Sequence, residues 1–306
     1  MERKRPSKHL RTHLTHARKH EIEEAEQKFL ASVGVSYPYT PTIFKGETNP
    51  QKVLVLADLH EPYASRDVLQ HALREHHDAD LVVLAGDLGD FYSKSRFRKT
   101  RYVSYDTELK AVFSRMEWLS RHFKQTHVML GNHDNRPEKM LQDILTTHGQ
   151  ADMLAFTELN LIKRMASYFP NVTVVGQRVN GVVVNFIYQH KDVVFTHAEI
   201  SSAQESAVLS RISNYLHRWR KTLRLKPFKA ILQAHNHVEM KMSKGGEHWF
   251  LIPTASSILE DGFEYMLERN TKLVGNPPQT GYTVLYFGKS GLDYNRSYNQ
   301  LIEIPQ

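Results

Sequence analysis

Short apolar runs along the chain alternate with longer stretches in which apolar positions recur every three or four residues. The short runs, rich in Val, Ile and Leu, predict strands over 53–57, 81–85, 127–130, 172–175, 182–188, 193–196 and 230–233. The longer spacing predicts helices over 65–75, 107–122, 137–147, 156–167 and 203–223. Two further runs, 283–287 and 292–298, flank Gly288-Lys289-Ser290-Gly291 and predict a hairpin. Strands alternating with helices from Gln51 onward are the pattern of an α/β domain over 51–306. Ahead of it, 1–35 is a polar arm ending in a helix-like stretch, and 36–50, with Pro38, Pro41 and Pro50, predicts a linker.

Polar residues gather where the apolar runs stop. The run at 53–57 passes into Asp58-Leu59-His60, and 81–85 into Gly86-Asp87-Leu88-Gly89-Asp90. The run at 127–130 passes into Gly131-Asn132-His133-Asp134, 193–196 into His197, and 230–233 into Ala234-His235-Asn236-His237. In extended chain, residues two apart face the same way, so Asp58 with His60 and His235 with His237 form pairs able to hold one cation. Ligand sites of open α/β sheets collect beyond the carboxyl ends of strands. A mixed nitrogen and oxygen donor set suits Mn²⁺, Fe, Zn²⁺ or Ni²⁺ better than Ca²⁺ or Mg²⁺. A single DxH or HxH is weak evidence; five such strand ends in one chain are not.

The order DLH, GDLGD, GNHD, TH, AHNH resembles the calcineurin-like metallophosphoesterase superfamily, whose pattern is DxH, GDxxD, GNH(D/E), H, GHxH. The likeness spans about 53–238. It implies a four-layer α/β/β/α sandwich of two mixed sheets flanked by helices. It also implies two divalent metal ions, Mn²⁺ foremost. Asp58, His60, Asp87 and His237 would hold one ion, and Asp87, Asn132, His197 and His235 the other. Two cations about 3.5–4 Å apart lower the pKa of a shared water, and they neutralise phosphate oxygens. His133 is the expected proton donor to the leaving oxygen, with Asp90 fixing its orientation. Where the superfamily's phosphoprotein phosphatases carry Arg after GDxxD and Glu after GNH, this chain has Phe91 and Asp134. The GNHD form is closer to the phosphodiesterase and repair-nuclease branches, so the expected activity is that of a phosphodiesterase or nuclease. A phosphomonoesterase of small metabolites is the alternative, and a non-catalytic nucleic-acid-binding protein on the same fold is a third.

Charge sharpens the choice of substrate. Of a formal +7, the first 20 residues carry +6, with His9, His13, His16 and His20 at helical spacing among their cations. This arm is expected to be either disordered or bound to a polyanion. Directly after Asp90, Lys94, Arg96, Arg98, Lys99 and Arg101 interleave with Tyr92, Phe97, Tyr102 and Tyr105. Cations beside rings suit DNA, RNA or a nucleotide, so Tyr92, Lys94 and Arg96, with Asn132 and Arg136, are expected to touch the phosphate-ester substrate. A third basic stretch, 211–229, reads as a solvated helix face with Leu216, Trp219 and Leu223 turned inward. The chain has no cysteine, which excludes disulfides and thiolate metal sites. No apolar run is long enough for a membrane span and none near the N-terminus resembles a signal peptide, so a cytoplasmic protein is expected.

Overall fold

The computed structural model describes residues 51–95, 103–147, 161–179, 182–200, 202, 204–257 and 278–303. The arm, the linker, Arg96 and the first part of the helix expected over 156–167 lie outside the described residues.

Two mixed sheets carry the fold. In the first, β1 (Lys52–Leu56), β2 (Leu81–Ala85), β3 (Thr126–Met129) and β4 (Val172–Val174) run parallel. The closing hairpin, β12 (Gly281–Gly288) and β13 (Gly291–Leu301), extends it antiparallel, in the order β13-β12-β1-β2-β3-β4. The second sheet contains β7 (Ile187–His190), β8 (Val193–Thr196), β9 (Ala230–Gln233), β10 (Met240–Lys244) and β11 (Glu247–Leu251), in the order β10-β11-β9-β8-β7. A small ribbon, β5 (Gln177–Val179) with β6 (Val182–Val184), stands apart.

The period of two along each strand explains the layers. Val53, Val55 and Ala57 of β1 and its end, with Val83 and Ala85 of β2, face Val193, Phe195, Leu232 and Phe250 of the second sheet, forming the core between the sheets. The alternate residues Leu54, Leu56, Val82 and Leu84 are equally buried on the outer side. That side carries α1 (Arg66–His76) and α2 (Tyr105–His122), whose buried stripes are Val68, Leu69 and Ala72, and Val112, Phe113, Met116 and Leu119. Each begins at a serine cap: Ser65 accepts from the Val68 N–H and Ser104 from the Thr107 N–H. On the far side of the second sheet, α5 (Glu205–Trp219) buries Val208, Leu209, Ile212 and Leu216 against Val194, Ile231 and Leu251. This is the expected four-layer sandwich. Two more helices, α3 (Arg136–Thr147) and α4 (Leu161–Ala166), and a 3₁₀ turn (Tyr92–Lys94) complete the described elements. Among the described residues, no helix is long and apolar enough to cross a membrane.

Two local expectations need correction, and one hairpin was not foreseen. The strand expected over 182–188 is cut by a turn at Asn185-Phe186 into β6 and β7. The Asn185 carbonyl accepts from Leu130 N–H (3.3 Å) and the Phe186 carbonyl from His197 N–H (3.0 Å), so the turn ties the second sheet to the end of β3. The hairpin β10–β11 turns on Gly245-Gly246, both at positive φ, the two-residue turn that glycine pairs favour; a Gly-Gly between polar runs is its only local trace. Finally, α5 ends at Trp219 rather than continuing to Leu223.

Candidate metal centre

The parallel arrangement brings the ends of β1, β2, β3, β8 and β9 together, and with them every residue expected to hold metal. Asp58 and His60 follow β1, Asp87 and Asp90 follow β2, and Asn132 and His133 follow β3. From the second sheet come His197 after β8, and His235 and His237 after β9. The reason the paired residues converge is different from the one periodicity gives. Asp58, His60, Asp87, His235 and His237 all have left-handed backbone, with φ of 52, 51, 50, 77 and 57°. The chain there is kinked rather than extended. Such conformations cost of order 1–3 kcal/mol each in a non-glycine residue, and they persist where surrounding structure enforces them.

That structure is visible. The Asp58 N–H donates to the Gly86 carbonyl (3.1 Å) and the His60 N–H to the Asp87 carbonyl (2.9 Å), continuing the pairing of β1 and β2 past the strands. The Thr254 hydroxyl donates to the Asp58 carbonyl (2.8 Å), and His235 N–H to Asp58 Oδ2 (3.1 Å). Glycines make the room. A Cβ on Gly86 would strike the His197 ring, and one on Gly131 would strike the Asp87 carboxylate.

The donor atoms form overlapping sets, each within 4.8 Å: Asp58, His60 and His237; Asp87, His197 and His235; and His60, Asp87 and His133. His60 Nε2 faces His237 Nε2 at 3.4 Å, and Asp58 Oδ1 lies 3.4 Å from the same His237 nitrogen. Two nitrogens bound to one ion at 2.0–2.1 Å in tetrahedral geometry are about 3.3–3.4 Å apart, so this pair is spaced as ligands would be. Asp58 Oδ1 is buried yet accepts no hydrogen bond, an arrangement costly without a cation. On the other side, His197 Nε2 approaches Asp87 Oδ2 at 3.1 Å and Asn132 Oδ1 at 3.2 Å. The other nitrogen of His197 meets the Ala85 carbonyl at 2.8 Å, which leaves Nε2 for the cluster. Asp87 belongs to two sets and lies between them. The donor set fits divalent metal.

His133 is held differently. Its Nδ1 lies 2.7 Å from Asp90 Oδ1, and its Nε2 lies 3.9 Å from Asp87 Oδ2. Arg136, at the start of α3, places one guanidinium nitrogen 2.9 Å from that Nε2 and another 2.8 Å from the Asp90 carbonyl. Because Arg can only donate, His133 Nε2 is the acceptor there and Nδ1–H donates to Asp90.

Opposite charges overcome burial at most of these groups. Burial pushes the Asp58 carboxyl up, but His237 and His197 bring it down to about 2. Burial is likewise outweighed at Asp87, held well below the carboxylate range by His197, His133 and His60, and at Asp90, lowered by His133 and His60. The His197 imidazole, which burial would discharge, is raised to about 10 by Asp87 and Asp58, and His60 is raised by Asp90 and Asp87. His235 falls to about 4 through burial and the charge of His197, and His133 is also lowered, burial leading.

Two further carboxylates support the cluster in ways their positions in the motifs do not reveal. Asp134 is 5% exposed and accepts the N–H groups of Gly131 (2.8 Å), Gly89 (3.0 Å) and Leu88 (3.3 Å), pinning the two ligand loops together. Burial and the neighbouring Asp87 raise its carboxyl to about 6. Buried Glu61, next to His60, accepts from Arg115 of α2 at 2.5 Å. Its place directly after DLH was a signal, but its partner is 54 residues away. The expected substrate contacts divide. Asn132 and Arg136 are at the cluster, whereas Lys94 sits 4.2 Å over the Tyr105 ring and Tyr92 begins a single 3₁₀ turn. Phe91 is wholly buried, so the position that carries Arg in phosphoprotein phosphatases points into the core here.

Comparisons with known proteins bear on this arrangement. The family model described as calcineurin-like phosphoesterase matches residues 51–267. Among solved structures, the chain resembles a metallophosphoesterase from Sphaerobacter thermophilus at 11% identity, over 83% of this chain and 89% of that one, with a TM-score of 0.41. It also resembles Vps29 complexed with zinc from Entamoeba histolytica at 12% identity, over 82% and 98%, with a TM-score of 0.38. No curated protein matches. With its family model covering more than two thirds of the sequence, the chain belongs to the calcineurin-like phosphoesterase family and is a metal-binding hydrolase of phosphate esters.

Proposed function

We propose that the protein is a two-metal phosphodiesterase acting on nucleic acid or nucleotides. Asp58, His60, Asp87 and His237 would hold one ion, and Asp87, Asn132, His197 and His235 the other, with Mn²⁺ the preferred metal. The observation that carries the reading is the convergence of these buried and half-buried donors around a shared Asp87. When bound, such a pair supplies Lewis acidity, lowering the pKa of water and neutralising phosphate oxygens.

The remaining chemistry falls to the chain. Asp90 orients His133 through Nδ1, so that Nε2 looks into the cluster. From there a protonated His133 delivers a proton to the leaving oxygen, the step that makes a poor alkoxide leave. The guanidinium of Arg136 now occupies that nitrogen. An incoming phosphate offers the guanidinium a charged acceptor, and its transfer there frees Nε2 for the proton. His133 is therefore a proton carrier rather than a ligand, although its nitrogen lies within reach of Asp87. A diester preference is supported by the inward Phe91: a monoester dianion would need another cation, and that position supplies none.

The test is hydrolysis of bis-p-nitrophenyl and p-nitrophenyl phosphate by metal-stripped protein with Mn²⁺ restored. Faster cleavage of the diester is expected. A strong preference for the monoester would reject the diesterase reading, and no metal-dependent cleavage of either would reject the site.

A further inference from the structure

The basic stretch behind the second sheet is more than a solvated face. Leu216 and Leu223 are buried as the sequence suggests, but Trp219 is not: it is 46% exposed, and Tyr215, one helical turn earlier, is 44% exposed. Arg211 and Arg218 are four before and three after Tyr215, so these four side chains form one stripe along the flank of α5. Residues 206–229 contain seven Lys and Arg and no Asp or Glu. Among the described residues, Arg211, Arg218, Lys221 and Arg224 form no ion pair. The acid near this face, Glu247, is already taken by Ser213, His217 and the Trp249 indole. Lys244, over the Trp249 ring at 5.5 Å, adds further positive charge.

Two neighbouring exposed rings within an uncompensated field of cations match one class of ligand best. Phosphates satisfy the charges and unpaired bases cover the rings, each stack being sequence-tolerant because every base has a π-face. A lipid surface would require a broader apolar stripe than two rings. A protein partner would leave the cations without matching acids unless it were strongly acidic. We propose that this face of α5 binds single-stranded nucleic acid, Tyr215 and Trp219 stacking on bases while Arg211, Arg218, Lys221 and Arg224 follow the phosphates.

The surface is separate from the metal centre. α5 leaves the end of β8, beside His197, and returns towards the start of β9. Trp219 is its last residue, at the end of the helix away from His197, and a 15-residue helix is about 22 Å long. A strand held there occupies a second site, and its binding does not depend on how the metal centre reacts.

The test is fluorescence anisotropy of a labelled 20-nucleotide oligothymidylate with the full chain in EDTA, which prevents cleavage. Tyr215→Ala with Trp219→Ala is expected to weaken binding about tenfold or more, and Arg218→Glu with Lys221→Glu to weaken it and flatten its salt dependence. Wild type is expected to quench in Trp fluorescence on binding, with Trp219→Phe removing most of that quench. Thermal unfolding of each variant is expected to match wild type, the substituted residues being exposed. Unchanged affinity in both double variants would overturn the proposal and assign binding to the arm or elsewhere. So would equal affinity for duplex of the same length, or displacement by polyglutamate as effective as by unlabelled oligonucleotide. Loss of binding to phosphatidylserine vesicles with oligonucleotide binding intact would assign the face to membranes instead.

Discussion

His197 and His76 are both buried, 2% and 6% exposed, yet they hold opposite charge states. At His197, burial is outweighed by Asp87 and Asp58, and the ring is raised to about 10. At His76, burial prevails with the Lys52 charge beside it, and the ring is lowered to about 4. His127 and His190 resemble His76: both are lowered to about 4, burial leading, and His127 spends its nitrogens on the Tyr188 hydroxyl (2.7 Å) and the Gln125 amide (2.8 Å). Burial alone does not decide the charge: His197 is raised by the carboxylates it faces, whereas His235, in the same donor set, is lowered to about 4 by burial and the charge of His197. Removing those carboxylates from one set, and the neutral partners from the other, tests that distinction.

Asp87→Asn should have the largest effect. Without the shared carboxylate both donor sets lose a member, and an ion site contributes several kcal/mol to transition-state stabilisation, so hydrolysis should fall on the order of 10³-fold or more. Bound metal measured by mass spectrometry should fall with it; retained metal and rate would remove Asp87 from the centre. His133→Asn is next, with a loss of about 10²-fold and unchanged metal content. The loss should be greater for an alkyl leaving group than for nitrophenolate, which needs little proton assistance. An equal loss for both would mean that His133 positions rather than donates.

Gly131→Ala comes third, and it separates space from chemistry. It keeps every donor but drives a methyl group towards the Asp87 carboxylate. Reduced metal affinity of about 10–100-fold is expected, the size typical when the support of a ligand is disturbed. Titration with Mn²⁺ would read it, and affinity equal to wild type would mean that the loop after β3 yields without cost.

What the sequence disclosed, and what it hid, follows the same division. Strand ends bearing DLH, GDLGD, GNHD and the two histidine segments are local, and the parallel topology gathers them into one cluster, so their convergence could be read directly. The left-handed backbone at Asp58, His60 and His237 could not, because Asp and His adopt it more often than most residues yet still only in a small minority of positions. The supporting roles of Asp134, visible only as the last letter of GNHD, and of Glu61 escaped for another reason: their partners Gly89 and Arg115 are 45 and 54 residues distant. Trp219 failed differently, since helical spacing put it with Leu216, but the helix stops at that residue and the ring falls outside the packed stripe.

In the metal-free chain the histidines also separate by pH, with His235 of the donor cluster falling among the lowered ones. His76, His127 and His190 have folded pKa values near 4 against 6.5 unfolded, so the unfolded chain takes up their protons first. Their contribution is present above 6.5 and is lost as pH falls from 6.5 towards 4. His197, raised to about 10, has the reverse sign: its contribution is full below 6.5 and is lost as pH rises from 6.5 to 10. Melting temperature in EDTA should therefore peak near pH 6–7 and decline on both sides. Restored Mn²⁺ should abolish the alkaline decline, because a ligating imidazole must be neutral. A decline on the acid side alone would contradict the charge assigned to His197.

The smallest expected effect lies outside the donor cluster. His127→Ala leaves the Tyr188 hydroxyl without its partner in a site where burial pushes the phenol above its ordinary range, and an unsatisfied buried group costs about 1–3 kcal/mol. In a domain of this size that lowers the melting temperature by roughly 2–4 °C per kcal/mol. His127→Ala combined with Tyr188→Phe should recover part of the loss, because both polar partners are then gone and only the cavity remains. Metal content and rate should be unaffected in either variant. A fall in bound Mn²⁺ would show that the inter-sheet histidine communicates with the centre, and the contrast between His127 and His197 would then be one of degree.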